Sequence, residues 1–110
     1  MTYYWDYFTQ TLVKEEDREP GAPAERYTMI EARQDKEDDT CTMTYRIRGG
    51  EGKTVSFSYE DGIDSFDFNT ELLGCLKSQG LTTKDIVWPA RSWIVPQKRL
   101  EQLKKECGVE

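Results

Sequence analysis

Two short segments that alternate apolar and polar residues around a glycine-rich link constrain the fold of this chain more than any other feature. In 42–48, Met43, Tyr45 and Ile47 alternate with Thr44, Arg46 and Arg48; in 53–59, Val55, Phe57 and Tyr59 alternate with Thr54, Ser56 and Ser58. Successive side chains of a strand point to opposite faces, so each segment reads as a strand with one buried and one wet face. Gly49-Gly50-Glu51-Gly52 joins them. A four-residue link with Arg48 opposite Lys53 would set every apolar side chain against a polar one on the same face, which rules that register out. Pairing Ile47 with Val55, Tyr45 with Phe57 and Met43 with Tyr59 keeps the apolar faces together. It predicts a three-residue turn, Gly50-Glu51-Gly52, with glycine at the left-handed position, and leaves Arg46 and Ser56 facing water.

The remaining elements follow from weaker signals. Aromatic and β-branched residues predict a strand over 3–13, although Tyr4, Phe8 and Leu12 also stand at helical spacing. The charged, proline-bearing stretch 14–24 reads as an exposed loop, 26–34 as a second strand and 35–39 as a charged turn. Phe68, Leu72, Cys75 and Leu76 form one helical stripe, predicting a helix over 68–79 with Asp67 as N-cap and Gly80 just past its end. Thr82 and Asp85 are spaced as a capping box. Residues 86–89 and 93–96 read as compact apolar pieces divided by Pro89. A last helix is predicted over 96–107, with Leu100, Leu103 and Cys107 inward and Gly108 as its stop. The chain of 110 residues fits a single small acidic domain, 1–110. The predicted class is α+β: an antiparallel β-meander of three to four strands with two main helices packed on one face.

Several chemistries lack their residues. The chain has no histidine, which removes Ser-His and Cys-His pairs and the usual neutral-pH proton shuttle. The glycines of 49–52 link two strands and open no helix, so they form no phosphate-cradling loop. Cys41, Cys75 and Cys107 are odd in number and far apart, a poor disulfide framework and a poor zinc site, and are expected to be reduced. Asp35, Glu37, Asp38 and Asp39 do not follow the EF-hand spacing. We therefore expect no enzyme, no cofactor and no metal. No apolar run approaches the roughly 20 residues of a membrane span. The first residues, Met1-Thr2-Tyr3-Tyr4-Trp5-Asp6, do not resemble a secretory signal, so a cytoplasmic location is expected.

The net charge of −6 is unevenly spread: residues 1–71 carry 17 acids against 8 bases, residues 72–110 only 4 acids against 7 bases. A negative field over most of the chain disfavours direct binding of nucleic acid, whose phosphates need Lys and Arg to displace counterions, and suits a basic protein partner. Two acidic clusters are candidate partner-binding groups, Glu60, Asp61, Asp64 and Asp67 around a strand-to-helix loop and Asp35, Glu37, Asp38 and Asp39 in a turn. Trp5 and Tyr7 are candidate aromatic anchors, since not every aromatic of 3–8 can be buried in a half-wet strand. The expected function is a stoichiometric protein-binding inhibitor that docks an acidic surface on a basic protein or on a nucleic-acid-binding site. Small immunity proteins and phage anti-defence or anti-CRISPR proteins offer an analogy of size and charge. The alternative is a non-catalytic structural or regulatory subunit of a larger assembly, docking by its aromatic N-terminal strand. Oligomeric state is not readable from the sequence.

Overall fold

A computed structural model describes residues 2–34 and 39–109. Its strands are β1 (Tyr3–Asp6), β2 (Thr11–Lys14), β3 (Tyr27–Ala32), β4 (Thr40–Ile47), β5 (Thr54–Glu60) and β6 (Ile86–Val95). Its helices are α1 (Ser65–Ser78) and α2 (Gln97–Cys107). The strands form one six-stranded sheet in the order β2-β1-β3-β6-β4-β5. β6 runs parallel to β3 and antiparallel to β4, and the other neighbours are antiparallel. The α+β class holds, but the antiparallel meander of three to four strands is replaced by a six-stranded mixed sheet.

Two local misreadings account for the difference. First, 3–13 is not one strand. Asp6 accepts a hydrogen bond from Phe8 N (2.9 Å) and Gln10 adopts φ 56°, turning the chain back so that β1 pairs with β2 as a hairpin. Second, 86–95 is one central strand rather than two pieces. Proline cannot donate to a ladder and is tolerated inside a sheet only at an irregularity. That irregularity is present: Thr44 pairs with Ser92 and Arg46 with Val87, so Tyr45 faces residues 88–91 across a bulge that contains Pro89. Thr28, only 2% exposed, donates its hydroxyl to the Ala90 carbonyl of the bulge at 2.7 Å, which satisfies a buried acceptor.

The β4–β5 hairpin keeps the predicted faces in a different register. Tyr45 pairs with Val55, Met43 with Phe57 and Cys41 with Tyr59; Arg46 lies opposite Thr54 and Thr44 opposite Ser56. The shift is two residues, which period-two alternation cannot detect because it preserves both faces. Ile47 N donates to Lys53 O (3.1 Å), leaving the five residues 48–52 as the connection, with Gly49 (φ 74°) and Gly52 (φ 75°) in the left-handed region.

One face of the sheet carries Tyr3, Ile30, Tyr45, Phe57, Tyr59 and Val95, all buried. Both helices cover this face. Phe68 of α1 meets Tyr59 and Phe57 edge-on, with ring centroids at 5.0 and 5.4 Å. Lys104 of α2 lies over the Tyr3 ring, and Leu72, Leu76 and Leu100 join the same core. α1 starts three residues earlier than predicted, at Ser65, because Asp64 rather than Asp67 accepts the capping bond, from Asp67 N at 2.8 Å. It ends as expected, with Gly80 at φ 73° and Leu81 N donating to Leu76 O (2.8 Å). Neither α1 nor α2 covers the opposite face, where the 15–23 segment lies against Tyr4 and Tyr27. A row of half-buried and exposed side chains crosses it, Tyr4, Met29, Ser92, Thr44 and Ser56, read from the strand pairings.

Candidate partner-binding surface

The sequence-predicted acids separate into three groups once folded. Asp61 turns inward: its Oδ1 accepts from Arg99 Nε at 2.9 Å and from the Cys41 thiol at 3.6 Å, and its side chain is only 10% exposed. Burial, followed by the Asp61 charge, pushes the Cys41 thiol up to about 11, so this cysteine is a poor nucleophile. All three thiols are free, with Cys41 buried and Cys75 and Cys107 half-buried. Asp39 is exposed but pairs with Lys98 Nζ at 2.9 Å. Asp35, Glu37 and Asp38 lie outside the described residues.

Glu60, Asp64 and Asp67 remain on the surface. Asp64 caps α1, and Asp67 sits in its first turn, where a carboxylate faces the positive end of the helix dipole. Glu60, exposed at the end of β5, lines a shallow depression together with Glu71 of α1. Glu60, Asp67 and Glu71 form no ion pair among the described residues.

The aromatic anchors are not where the sequence placed them. Trp5 is half-buried and packed against the core on the covered face, paired with Leu12 and Thr28. Tyr7 is half-buried and meets Trp88 edge-on at 6.4 Å. Trp88 in turn stacks on the buried Tyr45 ring (5.8 Å, 27°) while staying 59% exposed.

The large apolar side chains that do reach solvent on α1 are Phe66, 78% exposed, and Leu73, 52% exposed. They stand seven residues apart, two helical turns, on one side of the helix, about 60–120° round from the buried Leu72 and Leu76. Asp67 and Glu71 project from the same helix about 100–160° further round. The signal was available: Phe66 and Leu73 fall off the apolar stripe. Starting the helix at 68 concealed it, because that left Phe66 in a loop.

Among the described residues, no group of three or more Cys, Asp or Glu side chains converges to hold a metal ion, and no helix is long and apolar enough to cross a membrane. Comparison with known proteins finds no matching family model, no matching curated protein and no matching solved structure.

Proposed function

We propose that this chain is a stoichiometric, non-catalytic binding protein that docks the exposed face of α1 on a basic protein surface and blocks it. The observation that carries this reading is the exposed apolar pair on α1, on a helix that also carries unpaired acids. Phe66 and Leu73 are exposed on one side of α1, and Asp67 and Glu71, about 100–160° further round the same helix, have no cationic partner among the described residues. A large exposed aromatic is a typical interface anchor, and unpaired acids on the same helix favour a cationic counterpart. Glu60 and Asp64 extend the acidic rim towards the β5–α1 loop. Charge would speed encounter, and Phe66 would hold the complex.

The alternative, a subunit docked through its aromatic N-terminal strand, is less well supported. β1 is already paired on both edges, with β2 and with β3, and has no free backbone to offer.

The test begins with a partner captured from the native host and purified. Its binding kinetics are then followed at low and high salt. The double charge reversal Asp67→Lys/Glu71→Lys is expected to slow association several-fold at low salt, an effect that fades as the Debye length falls from about 10 Å at 0.1 M to about 3 Å at 1 M. Phe66→Ala is expected to leave association nearly unchanged and to speed dissociation. Unchanged kinetics for both variants with a verified partner would overturn the α1 surface.

A further inference from the structure

The face of the sheet away from the helices holds a charged feature of the opposite sign. The β6 bulge sets Arg46 opposite Val87, and Arg91 lies at the other end of the bulge. Both arginines line a cleft of about 470 Å³ with Arg18, Tyr4, Tyr27 and Met29, and both also line a neighbouring cleft of about 610 Å³ over the 49–52 turn. Neither guanidinium has a hydrogen-bond acceptor or an ion-pair partner among the described residues, and Nη1 of Arg46 is buried in that condition. The nearby acids pair elsewhere or form no ion pair with either arginine. Glu15 pairs with Arg18 (3.7 Å) and Glu19 with Arg26, while Glu25 and Glu51 line the second cleft without bonding to either arginine.

Two unpaired guanidiniums sharing one cleft repel each other, and in a chain of net charge −6 a neutralising acid would be easy to supply. Their planar forks match an oxyanion. The hydroxyls of Thr44 and Ser56, 2.7 Å apart, lie on the same face, Thr44 two residues along β4 from Arg46. The Tyr4 ring, capped by Arg18 at 4.0 Å, and Met29 form an apolar wall.

We propose that this cleft binds a small phosphate-bearing ligand, with the oxyanion held between Arg46 and Arg91 and the organic part resting on Tyr4 and Met29. A small ligand fits better than a nucleic-acid strand. A polymer would run past Glu15, Glu19, Glu25 and Glu51 on the rims and against the negative field of the whole molecule. The site shares no residue with the α1 surface, so the two readings stand or fall separately.

The experiment is calorimetric titration of the full chain with inorganic phosphate and with pyrophosphate, against chloride at matched ionic strength. One-to-one saturable binding is expected, weakened tenfold or more by Arg46→Gln and by Arg91→Gln and unchanged by Lys77→Gln on α1. Should Arg46→Gln unfold, the exposed Arg91→Gln decides alone. Arg46→Lys, which keeps the charge and loses the fork, should fall between wild type and Arg46→Gln. The proposal is overturned by absence of saturation beyond the chloride control, by undiminished binding in Arg91→Gln, or by a single-stranded oligonucleotide that binds more tightly than pyrophosphate through the same two arginines.

Discussion

Asp6 and Glu71 are both acids in a protein of net charge −6, and they are used in opposite ways. Asp6 is 3% exposed on β1, gripped by Arg26 through Nε–Oδ1 (3.0 Å) and Nη2–Oδ2 (2.8 Å), with Phe8 N as a third donor. Arg26 also pairs with Glu19 and lies under the Phe8 and Tyr27 rings. Glu71 stands in water on α1 with no partner among the described residues. Asp61, bridged to Arg99, belongs with Asp6. Net charge therefore overstates what the protein can show to a partner, because part of it is consumed in holding the chain together. A buried carboxylate must be paired to be tolerated, whereas an exposed one costs little either way.

Substitution can break this contrast at its strong end. Asp6→Ala leaves the half-buried Arg26 guanidinium with only the exposed Glu19 as its ionic partner, and should lower unfolding free energy by roughly 3 kcal/mol in urea titration. A loss below about 1 kcal/mol would mean that Asp6 is as dispensable as a surface acid.

Acid pH sharpens the contrast. The Arg26 hydrogen bonds hold the Asp6 carboxyl below its ordinary value of 3.8, overcoming burial, with the Phe8 N–H bond helping. The unfolded chain therefore binds this proton more readily than the folded one. The Asp6 contribution is fully present above the ordinary value and is lost as pH falls through the folded one. Stability of the wild type should drop over that acid window, and Asp6→Asn should show a flatter profile there. Equal slopes would remove Asp6 from the titration.

Asp61→Asn probes an intermediate case, since its Arg99 partner is 28% exposed. A loss of about 1–3 kcal/mol is expected, the range for a hydrogen bond to a charged group. Glu71→Gln lies at the weak end, with a change within about 0.5 kcal/mol expected in the same titration. A larger loss would place Glu71 among the structural acids and weaken the case for α1 as a docking surface.

Much of this molecule was legible in its residues. The alternation in 42–48 and 53–59 established which side chains of β4 and β5 face inward, because a strand has a fixed period of two. Leu72, Cys75 and Leu76 marked the inner side of α1, and Thr82 with Asp85 formed the capping box as spaced. Gly80 and Gly108 stopped their helices because both positions need a left-handed backbone. These are all local properties, decided within a few residues of chain.

What local pattern could not reach was decided by distant partners. The β4–β5 register differs by a whole period because the connection spans five residues rather than three, and both choices bury the same face. Pro89 argues against a central strand until β3 and β4 are present to flank a bulge. Their pairing with β6 turns a meander into a mixed sheet. Asp61 reads as one of four equivalent acids until α2, 38 residues on, delivers Arg99 to it. Sequence determined which residues seek the interior and where helices end, since these depend on side-chain period and backbone freedom. Strand order, register and the availability of each charge depend on long-range pairing, and only the tertiary structure decided them.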